Sequence, residues 1–222
     1  LNPKDPGLFV IRRLNKVEYA NTLHDFLGVD PSIAKDLPDD VPGEGYLNTL
    51  SPLQTEQYLA IANQILNRSL GTKDKTPNSR QKSLFGPTPS STKDWRESAR
   101  KVGTSLARTA YRRPATSEEI EVLLRVFDLS RENNLDYQAS LRMMLKAILV
   151  SPQFLFITPA KDQISTESIV PLDDHHLASR LSYFLWSTMP DSELSNLADL
   201  GKLHQPEILQ VQVKRMLMDS RS

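Results

Sequence analysis

The sequence contains no cysteine in its 222 residues. That excludes disulfides, thiolate metal centres, a cysteine nucleophile and the C-x-x-C-H attachment of c-type haem within this chain. It leaves the compartment open, because exported proteins can lack disulfides. An excess of one charge is missing as well. Lys plus Arg number 27 and Asp plus Glu number 27, so the net charge is zero. No global field draws the chain toward nucleic acid or an anionic surface. No apolar run approaches the roughly 20 residues that span a bilayer. The richest run, "AILVSPQFLFI", is broken by Ser151, Pro152 and Gln153. No glycine-rich phosphate cradle, nucleic-acid motif or internal repeat is present, and no stretch alternates cleanly enough to read as a strand. The opening "LNPKDPGLF" has the form of neither a signal peptide nor a membrane anchor. Because it starts at Leu1, the chain is expected to be a piece of something longer.

What is present is a globular composition, 39% hydrophobic and 24% charged, in a chain long enough to bury a core without staples. Helical periodicity dominates. The spacing predicts a first helix over 15–27, capped by Asn15, facing inward with Val17, Ala20, Leu23 and Leu27 and ended by Gly28. Ser51-Pro52 is a start signal for a second helix bearing Tyr58, Ile61, Ala62, Ile65 and Leu66. Residues 72–92 have loop composition and read as a linker. A helix over 94–112 follows, with Trp95, Ala99, Val102 and Leu106 inward. Thr116 and Glu119 form a capping box before Ile120, Leu123, Leu124 and Phe127. Asp136 caps a helix carrying Leu141, Met144, Leu145 and Ile148, and Ser151-Pro152 opens one short turn. Beyond a polar connector over 158–170, three helices are expected over 174–188, 192–200 and 206–218. The fold class that follows is all-α: one or more bundles of about seven to eight helices with long loops. The domains read as 1–71, a linker over 72–92, 93–157, and 158–222 as the truncated start of a third.

The stretch "LASRLSYFLWSTMPD" over 177–191 concentrates aromatic residues. On a helix, Leu177, Leu181, Phe184 and Leu185 fall at i, i+4, i+7 and i+8, a stripe spaced for burial. Ala178 and Tyr183 widen it and Trp186 flanks it, so core packing is expected rather than a ligand cage, with the helix near the centre of its bundle. Arg180 interrupts the stripe and calls for an internal partner.

Residues with candidate chemistry are few. "LDDHH" sets Asp173 and Asp174 beside His175 and His176, which are the candidate metal or haem ligands. Neighbours on a helix point about 100° apart, so the two imidazoles do not readily share one ion. Asp173 reads better as an N-cap and Asp174 as an acid favoured by the helix dipole. The loop "DLPDDVPGEGY" offers Asp36, Asp39, Asp40 and Glu44 as candidate calcium ligands, although the spacing does not match an EF-hand. His24-Asp25 could pair a base with its orienting acid, but reads as a surface pair, and His204 falls in a turn. Arg112 and Arg113 stand at a helix end, where they complement the dipole or bridge to acids. Charge is unevenly spread: Asp25 to Glu56 holds seven acids and one lysine, Lys93 to Arg113 seven basic residues and two acids. These regions are expected to face each other or to be solvated.

Five phrases occur in order: "IRRLNKVEYANTLHDFLGVD", "SPLQTEQYLAIANQIL", "LARTAYRRPATSEEIEVLL", "ASLRMMLKAILVSPQFLF" and "LDDHHLASRLSYFLWSTMPDSELSNLADLGKL". Together they resemble the large multi-domain proteins abundant in planctomycetes and their relatives, built from domains of unknown function and often joined to a cytochrome c-like domain. Residues 11–70, 94–157 and 170–222 look like three successive domains of that set. The resemblance implies an extracytoplasmic protein, in the periplasm or at the cell surface, with no cofactor in this chain and haem on another segment or chain. The implied partners are the remaining segments of the same protein, a partner subunit or a cytochrome c-like domain, with no nucleic acid. In relatives a β-rich module separates the first two domains and a cysteine lies near "SLFGPTP"; neither is found here. No catalytic residues come with the resemblance. Three functions follow as expectations: a helical module packing against or presenting a haem domain or partner subunit, a cell-surface hydrolase or polysaccharide-acting enzyme, and a purely structural scaffold.

Overall fold

The computed structural model describes residues 11–38, 50–69, 79–157 and 172–222, with the backbone alone described at 68, 69 and 80. The chain is predominantly all-α. In order, the helices are α1 (Lys16–Leu27), α2 (Pro52–Ser69), α3 (Ser79–Phe85), α4 (Trp95–Ala110), α5 (Ser117–Glu132), α6 (Tyr137–Leu149), α7 (Pro152–Leu155), α8 (Asp174–Trp186), α9 (Ser192–Asp199) and α10 (Pro206–Leu217). Two compact units divide the chain. One comprises Ser32–Leu37 and Leu50–Leu155, the other Leu1–Pro31, Pro38–Thr49 and Phe156–Ser222.

In the first of these units, α4, α5 and α6 pack on one another, and α2 lies against α6. The start signals act as expected. Ser51 and Gln54 bond reciprocally through their side chains and amides, Thr116 and Glu119 form a capping box, and Asp136 accepts from the Ala139 amide. Each satisfies an amide that lacks an intrahelical partner. The core is the predicted one: Leu123, Leu124 and Phe127 of α5 are buried with Leu141, Met144 and Leu145 of α6. Tyr137 lies between two other rings, 5.5 Å from Trp95 and 5.8 Å edge-on from Phe127. Trp95 is only half-buried; its Nε1 donates to the Pro89 carbonyl at 3.0 Å and the Arg131 guanidinium sits 4.4 Å over its ring.

The linker reading of 72–92 is corrected over its described part. Residues 79–85 form α3, and Phe85 is 1% exposed. Gln138 of α6 donates to the Gly86 carbonyl at 3.2 Å, tying the segment down. One buried ring among polar neighbours carries no periodicity, so composition alone reads as loop. Val102 is likewise half-buried rather than fully inward.

Arg112 follows α4 in the left-handed region, φ 60°. Rather than lying at the surface it is buried, and it donates to the carbonyls of Ala110 at 3.2 Å, Phe154 at 3.1 Å and Gln153 at 2.8 Å. One guanidinium thus satisfies the ends of two helices, α4 and α7. Arg113 pairs with Glu119 at 2.7 Å, the bridging role expected of it. Two basic residues of α4 find acids within their own unit: Arg96 meets Glu121 and Asp128, and Arg100 meets Glu97 and Glu121. Arg142, unremarked in the sequence, is buried on α6 and donates to the Leu66 carbonyl of α2; burial lowers its pKa.

In the second unit, α8 packs against α9 and α10. Ala178, Trp186, Leu194, Ala198, Leu203 and Met216 form its core, with Leu177, Leu181, Leu185, Leu197 and Leu209 partly buried around it. The stripe expected on α8 is therefore rotated. Phe184 is 83% exposed and Arg180 is exposed, so α8 keeps a solvent edge and is not buried on every side. Its covered face carries Ala178, Ser179, Ser182, Tyr183 and Trp186. Small residues allow close packing, and Ser182 disposes of its hydroxyl on the Ser179 carbonyl at 3.0 Å. A reading weighted by hydrophobicity places leucine and phenylalanine inward and serine outward, and so turns the helix by roughly one residue, about 100°.

The same unit includes α1. Asn15 and Glu18 form a reciprocal capping box, and Gly28 ends the helix at φ 58°. Val17, expected inward, is 60% exposed, while Tyr19 and Thr22 are fully buried. Glu18 is buried too, held by the two terminal guanidinium nitrogens of Arg12 at 2.6 and 2.8 Å. Arg12–Arg13 pairs antiparallel with Phe156–Ile157, a two-residue ladder too short to show alternation in sequence.

Gly103 marks a close approach inside the first unit: a Cβ there would lie 2.6 Å from Cε of buried Met144. Gly103→Ala gains about 1 kcal/mol of helix propensity and needs only a terminal methyl to move, so it is expected to stay within about 1 kcal/mol of wild type. Gly103→Leu has nowhere to put its side chain and should lose about 3 kcal/mol or more in urea unfolding.

Candidate functional site

The N-terminus of α8 gathers the acids and imidazoles that the sequence singles out. Asp173 begins the helix: its Oδ1 accepts from the His176 amide at 2.9 Å. Its Oδ2 lies 2.7 Å from His176 Nδ1. Burial pushes the Asp173 carboxyl up, but the donors from His176 and the nearby imidazoles outweigh it and hold it below the usual carboxylate range.

Asp174 does more than complement the helix dipole. Its side chain is 7% exposed. Oδ2 accepts from the Leu203 amide at 2.7 Å, and Oδ1 from the His204 amide at 3.2 Å and from His204 Nδ1 at 2.8 Å. One buried carboxylate therefore fixes the turn between α9 and α10 onto the start of α8. The amides of Leu203 and His204 are its anchors, and such charge-assisted bonds are the strong ones. His204 does lie in a turn, as expected, with its imidazole 62% exposed.

His175 turns to another element, its Nε2 lying 3.6 Å from Oδ1 of Asp199 at the end of α9. The two adjacent imidazoles thus serve different carboxylates, as the helical angle between them requires. Among the described residues no group of three or more His, Cys, Asp or Glu is placed to hold a metal ion. Of the acidic-loop candidates, Asp36 is described: it is exposed, and its carbonyl accepts from Gln57 Nε2 at 3.0 Å. Asp39, Asp40 and Glu44 lie outside the described residues. His24 and Asp25 do not act together. His24 Nδ1 lies 2.9 Å from the Val29 carbonyl, and Asp25 accepts from Thr188 Oγ1 at 2.7 Å.

Around Trp186 the arrangement is a packed one. Its indole is buried, and Nε1 donates to the Met216 carbonyl at 3.1 Å. Arg221 stacks 3.6 Å over the ring and is held there by Asp219 at 2.8 Å. Asp191 caps α9 at the Leu194 amide and also receives Arg215 at 2.7 Å, while Gln212 links Arg215 to Glu193. The contacts from Trp186 to Met216, from Arg215 to Asp191 and from Gln212 to Glu193 are not legible from spacing, because each joins residues of different helices or their caps.

The chemistry available is narrow. An exposed imidazole oriented by a buried carboxylate, His204 on Asp174, has the form of a general-base pair. Among the described residues no hydroxyl hydrogen-bonds to His204. What the cluster visibly does is join α8, α9 and α10.

Three family models match in succession. Residues 12–71 match PSD3, a protein of unknown function (DUF1587). Residues 98–158 match PSD5, a protein of unknown function (DUF1595). Residues 172–222 match PSD4, a protein of unknown function (DUF1592). No curated protein and no solved structure matches the chain.

Asp173→Ala should cost about 1 kcal/mol at neutral pH, the usual worth of a cap. Because the folded pKa of Asp173 is depressed, its contribution is present above the unfolded carboxylate pKa and is lost as pH falls through the folded value. The variant should therefore lose less stability than wild type on acidification, read as urea midpoints at neutral and acid pH. Asp174→Asn replaces one carboxylate oxygen with an amide donor, so that one of the two backbone amides faces a donor instead of an acceptor, and is expected to lose about 2 kcal/mol or more.

Proposed function

We propose that this chain, which carries three consecutive domains of unknown function, is a helical module that packs against or presents a haem domain or partner subunit. The observation that carries the reading is the cluster at the start of α8. There Asp173, Asp174 and Asp199 each meet an imidazole, and the Asp174 carboxylate also holds the Leu203 and His204 amides. Groups that could serve a reaction are engaged in holding helices. The resemblance to planctomycete-type multi-domain proteins supports the finer reading: an extracytoplasmic, redox-associated protein, in the periplasm or at the cell surface, whose haem sits on a cytochrome c-like segment or a partner subunit. Among the described residues no helix is long and apolar enough to cross a membrane.

One observation favours a second reading, a cell-surface hydrolase or polysaccharide-acting enzyme. The Asp174–His204 pair has an exposed imidazole held by a buried acid, the form of a base awaiting a substrate. His204→Ala would then abolish turnover of a polysaccharide panel while the circular dichroism spectrum stays that of the native fold; unchanged turnover removes this reading.

The leading reading is tested on the natural protein, purified intact, by mass spectrometry and visible absorption together. A haem Soret band with a C-x-x-C-H peptide in the same chain or a co-purifying subunit is expected. A colourless protein without any haem-binding segment overturns the redox association.

A further inference from the structure

The three matched segments run one after another, but the contacts do not follow that order. Residues 12–71 divide between the two compact units: α1 belongs with α8–α10, and α2 with α4–α6. We infer that α1 is a strap of the C-terminal unit, so that residues 12–30 open and close as one cooperative body with 156–157 and 172–222, although more than a hundred residues separate them in sequence.

The strap is fastened along its length. At its N-terminal end, Arg12 and Arg13 pair with Ile157 and Phe156. In the middle, Thr22 donates to the Glu18 carbonyl at 2.6 Å, so the hydroxyl of Tyr183, 2.8 Å away, is the donor to Thr22 Oγ1. Both side chains are buried. A buried hydroxyl that loses its partner keeps the full cost of desolvation, so this bond resists being broken on its own. Beside it, Asn21 Nδ2 donates to the Ser187 carbonyl at 3.2 Å, and one turn further on Asp25 accepts from Thr188 Oγ1 at 2.7 Å.

The last two contacts explain the end of α8. Ser187 takes the left-handed conformation, φ 52°, where glycine is usual. For a residue with a Cβ that conformation is strained. Contacts from α1 to Ser187 and to the buried Thr188 hold the chain in that turn, while Trp186, one residue earlier, locks into the core with Leu194 and Met216. The strap and the core therefore grip successive residues of the same turn, and loosening either should loosen the other.

Hydrogen exchange by mass spectrometry on the full 222-residue chain tests this. Leu194→Ala removes a fully buried side chain from the core around Trp186. Exchange in α8, α9 and α10 is expected to rise by about tenfold or more, and exchange in α1 to rise by the same factor, while α4–α6 keep their protection. The milder Asp25→Ala acts from the other side and should raise exchange in α8–α10 a few-fold, about the effect of one lost charge-assisted bond. If Leu194→Ala unfolds its unit outright, α1 must lose protection with it. The inference is overturned if α1 stays protected while α8–α10 loosen, or if α1 responds in step with α2.

Discussion

Helices this short leave a large share of their backbone amides without intrahelical partners, and satisfying those amides is the constraint on which the molecule rests. Asn15, Ser51, Thr116, Asp136, Asp173 and Asp191 each accept from an amide in the first turn of a helix. Carbonyls at the far ends are met by other means: Gly28 turns left-handed after α1, and Arg112 reaches three carbonyls at the ends of α4 and α7. Once the ends are fixed, each apolar face has a defined extent and the helices can pack without stranding polar backbone.

The same constraint shapes the polar chemistry. Asp174 has two roles that conflict in sequence and agree in space: it stands in the first turn of α8, and it closes the turn before α10. Acids beside histidines suggest a metal or a base when read along the chain. In three dimensions His175, His176 and His204 diverge to three different carboxylates. The acids and imidazoles that look reactive also fasten helices, which is what supports the module reading over the enzymatic one.

Helix starts were legible because a cap depends on four consecutive residues, and all of those are local information. The core of α5 and α6 was legible because its periodicity is strong and its neighbours are apolar. What failed were positions decided by partners distant in sequence. Phe184 has the right spacing for burial, yet the face of α8 that is covered is the one carrying serines, whose small size suits a close neighbour. Phe85 is buried inside a stretch of loop composition because Gln138 and Trp95 hold that stretch from elsewhere. Arg112 and Arg142 are buried cations satisfied by carbonyls, and no spacing rule announces such a pairing. Of the candidate site, the cap at Asp173 could be read directly, whereas the joining of Asp174 to Leu203 and His204 required the turn to be in place.

The chain has two tryptophans, and each belongs to a different compact unit with an arginine across its ring: Arg131 on Trp95, Arg221 on Trp186. A guanidinium stacked on an indole alters the emission of that ring when it departs. Each half of the molecule therefore carries a private optical gauge, and replacing one indole leaves a single signal whose colour reports on the remaining half alone.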